Sequence, residues 1–181
     1  MGEPKKVILV TGATDGIGLE TARALASQGH RVVLHGRTPA KAEAAARLVL
    51  RDLPTADLAT AAADLGRQGE VRALAAALRA DHPRLDVLLH NAGVFTTTRQ
   101  VTPEGLELTF AVNHLAPFLL THLLLDRIRE ARGRVVVVAS GVHGNASLDL
   151  EDLQGLRAWD GYGAYARSKL CNVLFAAELA E

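Results

Sequence analysis

The chain has 181 residues, 20 basic and 20 acidic side chains, and a formal net charge of zero. That length suffices for one domain with a real core, and the balanced charge removes any global electrostatic case for nucleic acid or an acidic membrane as partner. Hydrophobic residues make up 49% and aromatics only 4%, which is globular rather than disordered, and the single Cys171 excludes an internal disulfide framework and a cysteine-based metal cluster.

Met1 to Lys6 precedes a run of only four apolar residues, too short for a signal sequence or a membrane span. Gly2 follows Met1, but Lys6 stands where an N-myristoylation pattern wants Ser or Thr. With one cysteine, a reducing compartment and a soluble cytoplasmic protein are expected.

Val7 to Val10 reads as a strand buried on both faces. Thr11-Gly-Ala-Thr-Asp-Gly-Ile-Gly18 follows, and a helical pattern runs from Ile17 to Gln28, with Gly29 as its stop. Arg31 to His35 is a second strand, then Gly36-Arg37, then a helix from Pro39 to Leu50 with Thr38 as N-cap and Pro39 in its first turn. A weaker, Ala-rich strand covers Leu58 to Ala63 and ends at Asp64-Leu65. Glu70 to Ala80 is helical, with Val71, Leu74, Ala75 and Leu78 on one face. Leu85 to His90 is a buried strand ended by Asn91-Ala92-Gly93. A long helix is expected over Pro103 to Arg132, bent or broken at Pro117 and stopped by Gly133. Arg134 to Ser140 is the fifth strand, and a Gly-rich loop leads to a last helix from about Tyr162.

Strands and helices alternate without repeats or linkers, which predicts a single α/β domain: a Rossmann-type doubly wound parallel sheet, order 3-2-1-4-5, with helices on both faces. Ligands in such sheets sit at the carboxyl ends of the strands, near the switch point between strands 1 and 4. Those ends are Thr11-Gly12, Gly36-Arg37, Asp64, Asn91-Ala92-Gly93 and Ser140, and they hold most of the unusual chemistry in the chain.

Strand, Gly-rich turn and helix form a phosphate-cradling unit. Gly12 can make the tight turn, Gly16 admits a pyrophosphate to the backbone, and Gly18 lets helix and strand pack closely, with free N–H groups facing the anion. The plain alternative is a Gly-rich turn with no ligand. An acidic residue after the second strand would bind the 2′-hydroxyl of NAD, whereas Arg37 can pair with a 2′-phosphate, which predicts NADP(H) over NAD(H), although a solvated surface Arg reads the same way. Asp15 puts a negative charge near the phosphates and weighs against that preference.

Tyr165 and Lys169 lie four apart, on one helix face. A phenol is a poor base at neutral pH, with a pKa of about 10, and a nearby ammonium lowers it. The pair can then exchange a proton with an alcohol or carbonyl oxygen while a hydride passes to or from nicotinamide. The plain alternative is an amphipathic helix with a half-buried Tyr and a solvated Lys. Ser140 can hydrogen-bond the substrate oxygen, and Asn113 sits in an apolar stretch where a buried amide needs a reason.

The glycine loop, Asn91-Ala92-Gly93, Asn113, Ser140, Tyr165 and Lys169 come in the order found in the short-chain dehydrogenase/reductase family, which the chain resembles over essentially its whole length. Asp149-Leu-Glu-Asp-Leu-Gln154 and Tyr165 to Phe175 are similar to its retinol-dehydrogenase-like branch. The resemblance implies an alcohol/carbonyl oxidoreductase acting on a small molecule. Tyr165 would be the general acid/base and Ser140 would polarise the carbonyl. Lys169 would lower the Tyr165 pKa and bind the nicotinamide ribose, and Asn113 would hold a relay water. Thr11, Gly12, Thr14, Asp15, Gly16, Ile17, Gly18, Arg37, Asp64, Leu65, Asn91, Ala92 and Gly93 would complete the cofactor site, Asp64 through the adenine amino group or merely as a strand-end cap. His90 replaces the first Asn of the family's Asn-Asn-Ala-Gly, and the interval from Ser140 to Tyr165 is longer than in many members.

The chain stops where family members usually continue with two further strands and a substrate lid, so it is expected to be incomplete at its C-terminus and to leave the fifth strand as an edge. A non-catalytic dinucleotide-binding sensor, an inactive fragment and a nucleotide-sugar epimerase or dehydratase are the competing readings; the glycine spacing and the Asn113–Ser140 partners disfavour the last. The apolar run Phe118 to Leu125 suits a homodimer through the Asn113 and Tyr165 helices, or a buried helix. His90, His114, His122 and His143 lack zinc spacing, Thr96 to Thr98 read as a polar loop, Cys171 as a small apolar residue, and Trp159 and Tyr162 as pocket or loop packing.

Overall fold

A computed structural model describes residues 4–181; the Met1-Gly2 positions of the acylation pattern lie outside it. Five parallel strands stand in the order β3-β2-β1-β4-β5. They are β1 (Val7–Val10), β2 (Arg31–Gly36), β3 (Leu58–Ala62), β4 (Val87–His90) and β5 (Arg134–Val137). In register, Val10 faces Leu34 on one side and Leu89 on the other, so the ends of β1, β2 and β4 open at one level.

Alternation along each strand divides the core. Ile8, Val10, Val32 and Leu34 pack with Ala22, Ala26, Ala45 and Val49 of α1 (Gly16–Ser27) and α2 (Pro39–Asp52). Leu9, Val33 and Leu88 face the other way, onto Val71, Leu74 and Leu78 of α3 (Gln68–Asp81) and Leu120, Leu124 and Ile128 of α4 (Leu108–Glu130). The last helix, α5 (Gly161–Leu179), lies against α4 and β5. By length and composition alone α4 could cross a bilayer, but its apolar stripe is spent on the sheet.

The Ala-rich β3 forms as an edge, only half buried. Thr38 caps α2, its hydroxyl accepting from Lys41 N–H at 3.4 Å, and Gly29 ends α1 with φ 86°. Several boundaries differ from the sequence expectation, β4 for one starting at Val87 rather than Leu85, and three others fall at the ends of α4 and β5. Pro103 belongs to a tight turn, closed by Gly105 N–H to Thr102 O at 2.9 Å with Gly105 at φ 81°, so α4 starts only at Leu108. There the Glu107 carboxylate accepts from Thr109 and Phe110 N–H at 3.0 and 2.7 Å. At the other end the left-handed residue is Arg132, φ 51°. Gly133 is required for a different reason: a Cβ on it would lie 2.3 Å from the Asp86 carbonyl oxygen. The third difference is β5, whose ladder ends at Val137 rather than Ser140.

The irregularity expected at Pro117 is a π-turn just before it, Ala111–Leu115, after which the helix continues. Pro117 has no N–H for the carbonyl of Asn113, four residues back. Asn172 of α5 supplies the missing donor, Nδ2 to that oxygen at 2.9 Å.

Candidate active site

A cleft of about 290 Å³ opens over the carboxyl ends of β1 to β4. Gly12, Thr14, Asp15, Ile17, Gly18, Arg37, Asp64, Leu65, Asn91, Ala92 and Gly93, all expected from sequence, line it.

Its floor is fixed by backbone contact. Gly12 has φ 64°, and a Cβ there would come within 2.8 Å of the Ala92 Cα. A Cβ on Gly18 would lie 2.2 Å from the Gly12 oxygen and 2.4 Å from Asn91 Nδ2. Gly16, at φ 49°, meets nothing within 4 Å, so the loop is open there. Asn91 Nδ2 donates to the Thr11 and Gly12 carbonyls at 3.0 and 3.2 Å. The Thr11 hydroxyl accepts from the Asn91 and Ala92 N–H groups at 3.0 and 3.1 Å, so Thr11 works from beneath the cleft. At the start of α1 the Asp15 side chain caps nothing and the first turn holds no acid, which leaves its N–H groups to an anion. The collision-tight glycines, the bare helix start and the neighbouring cation Arg37 fit a dinucleotide phosphate cradle.

Five residues in the wall were not expected: Ala63, Val94 and Val112, which are apolar, and two that carry polar chemistry. Lys41 lines the cleft near Arg37. His35 is buried: its Nδ1 accepts from Gly12 N–H at 3.2 Å and its Nε2 meets the Ala63 oxygen at 3.1 Å. Burial pushes its pKa down to about 4. Asp64 Oδ1 accepts from Gly66 N–H at 2.9 Å, so it caps the strand end as well as facing the cleft.

Asn113, fully buried in the π-turn, uses its whole amide. Oδ1 accepts from Val94 N–H at 2.7 Å, while Nδ2 donates to Val94 O at 2.9 Å and to Ser168 Oγ at 3.0 Å. It thereby joins the loop after Gly93 to the Tyr165 helix. Asn172, a residue sequence reasoning missed, also meets His114 Nδ1 through its Oδ1 at 3.2 Å.

Lys169 is 3% exposed, and its Nζ donates to Val138 O at 3.0 Å. Burial pushes its ammonium below the usual lysine range. A Cβ on Gly93 would lie 3.6 Å from this Nζ, so the amine reaches the Gly93 end of the cleft. It also sits 5.5 Å from the Tyr165 ring centroid, and Tyr165 packs edge-on against Phe95 at 5.7 Å. Ser140 begins the turn Gly141–Asn145, which packs on α5, and its carbonyl meets His143 Nδ1 at 2.7 Å. Tyr162 accepts from Asn145 Nδ2 at 2.9 Å, and a Cβ on Gly155 would lie 2.9 Å from Trp159; both aromatics pack the loop.

The profile described as short chain dehydrogenase matches residues 6–181. Retinol dehydrogenase 12 of Mus musculus is 41% identical over 179 residues, covering 98% of this chain and 57% of that protein. Dehydrogenase/reductase SDR family member 13 of Bos taurus is 46% identical over 178 residues, covering 97% of this chain and 47% of the relative. A crystal structure of a metagenomic short-chain oxidoreductase in complex with NADP superposes with a TM-score of 0.78 at 31% identity, covering 97% of this chain and 75% of the other. The chain thus spans about half the length of the curated relatives it matches. Fold order, strand-end chemistry and these matches agree: the chain belongs to the short chain dehydrogenase family.

Proposed function

We propose that the chain carries the cofactor-binding and proton-transfer residues of an NADP(H)-dependent oxidoreductase that interconverts a small-molecule alcohol and carbonyl. The observation that carries this reading is Lys169, buried between the Val138 carbonyl and Gly93 with its amine over the Tyr165 ring. An amine so placed lies beside the ring on which negative charge develops during proton transfer. Arg37 and Lys41, together in the cleft with no carboxylate at the end of β2, support a 2′-phosphate and hence NADP(H).

The bound nicotinamide supplies or accepts the hydride. Tyr165 gives its phenolic proton to the carbonyl oxygen as that oxygen becomes an alkoxide, and Ser140 holds the same oxygen through its hydroxyl. Lys169 stabilises the phenolate left behind and binds the ribose. Asn113 holds the loop beyond Gly93 against the Tyr165 helix. The names of the relatives point to an apolar retinoid-type alcohol or aldehyde as substrate. The half-exposed Phe118 and Leu174 on α4 and α5 suit a second copy of the chain as partner.

Titration of NADPH fluorescence, then NADPH oxidation with all-trans-retinal and with short aldehydes, tests the reading. Tyr165→Phe is expected to bind NADPH within twofold of the unmodified chain and to lose about 10²- to 10⁴-fold in rate. NADPH binding with no turnover by the unmodified chain would make it a binding module instead.

A further inference from the structure

We propose that His35 is a positioning residue of the dinucleotide cleft: its ring clamps the Gly12 turn to the ends of β2 and β3, setting the loop in its binding shape before any cofactor arrives. The inference rests on the reading of this cleft as a dinucleotide site.

The partners fix the state of the ring. Ala63 O can only accept, so Nε2 carries the hydrogen; Gly12 N–H can only donate, so Nδ1 is the bare nitrogen. Both ring nitrogens are committed, and the residue is 2% exposed. The main chain of the same residue repeats the tie, its carbonyl accepting from Ala13 N–H at 2.9 Å. Ala63 N–H in turn donates to Gly36 O at 3.1 Å. One side chain therefore spans β1, β2 and β3 where all three end on the cleft, beside Arg37, Lys41 and Asp64.

The loop requires such a clamp. Gly12 stands at φ 64° against Ala92, and with no acceptor at position 35 its part-buried N–H would lose its only partner within the protein fold at that turn. The Ala63 oxygen would lose its partner as well. A loop held in place beforehand spends less ordering entropy when a ligand binds. Burial keeps the ring neutral, so the clamp holds through the ordinary pH range.

Three substitutions separate the two contacts. The amide of His35→Asn reaches the Nδ1 position and can still accept from Gly12; that of His35→Gln reaches the Nε2 position and can serve only Ala63; His35→Ala serves neither. Amide hydrogen exchange of the Gly12–Thr14 segment is followed in ligand-free protein, and NADPH affinity by fluorescence. His35→Ala is expected to speed that exchange and to raise the NADPH Kd about tenfold. His35→Asn should recover most of both losses, and His35→Gln should not. Exchange and Kd within twofold for His35→Ala, or rescue by Gln and not by Asn, would overturn the proposal. If the Ala variant does not fold, the Asn–Gln comparison decides. If the unmodified chain fails to bind NADPH, the functional reading falls, while exchange in ligand-free protein still decides the clamp.

Discussion

The glycine-loop end of the crevice and its Tyr165 end hold their residues by different means. At the first, main chain meets main chain: Gly12 against Ala92, Gly18 against Gly12, with Asn91, Thr11 and His35 closing the remaining hydrogen bonds. At the second, long side chains make the ties, some buried and some beside exposed loop residues. Lys169 reaches Val138, Arg167 reaches the Asp152 carbonyl at 2.7 Å, and Leu150 and Leu156 stand 72% and 76% exposed. Close backbone packing leaves a binding shape nowhere to relax, whereas reaching side chains tolerate movement and depend on a few bonds. By this packing argument the glycine-loop half is the rigid one and the Tyr165 half the adjustable one.

The sharpest way to break this contrast is Gly18→Ala. A methyl 2.2 Å from a backbone oxygen has no flexible neighbour to displace, so NADPH affinity should fall more than about 100-fold, read by fluorescence titration. Comparable affinity would show the floor to be soft. Next comes Asn113→Ala, which strands both backbone groups of Val94 and frees the loop from the Tyr165 helix. A loss of about 2–4 kcal/mol is expected from denaturant melts. Unchanged stability would mean the two halves are not joined there.

Acid should act on the core of the rigid half. Burial pushes the folded pKa of His35 to about 4 and of His90 to about 3. The unfolded chain takes up these protons near pH 6.5, while the folded one refuses them until far lower. The stabilisation is therefore complete above about pH 6.5 and declines as pH falls toward 4, by at most about 1.4 kcal/mol per pH unit for each ring. Melting at stepped pH checks it; a flat profile from 7 to 4 contradicts the burial. The smallest effect belongs to the exposed rim, where Arg37→Ser should weaken NADPH about tenfold and leave NADH within twofold.

The elements and strand ends were legible because their signals are local. Four apolar residues followed by Thr-Gly, or a Thr-Pro start to a helix, need no knowledge of the rest of the chain. The turn at Thr102-Pro-Glu-Gly105 was equally local, but the helical pattern beyond it masked it. His35, Lys41 and Asn172 were out of reach for another reason. The partner of His35 lies 23 residues away and that of Asn172 lies 59 away, and neither spacing has a periodic signature. His35 read as one more strand residue, and Asn172 was not singled out within the Tyr165 to Phe175 stretch. Gly133 was assigned to a helix stop because its collision with Asp86 comes from across the sheet.

Pro117 has a consequence that reaches beyond its own helix. Because an imino nitrogen leaves the oxygen of residue 113 vacant, α5 acquires a fixed anchorage on α4 through Asn172. Any replacement at 117 that restores a peptide hydrogen would offer that oxygen a rival donor within its own helix. Positions 117 and 172 are therefore coupled in what they can become: a change at one alters the value of the other.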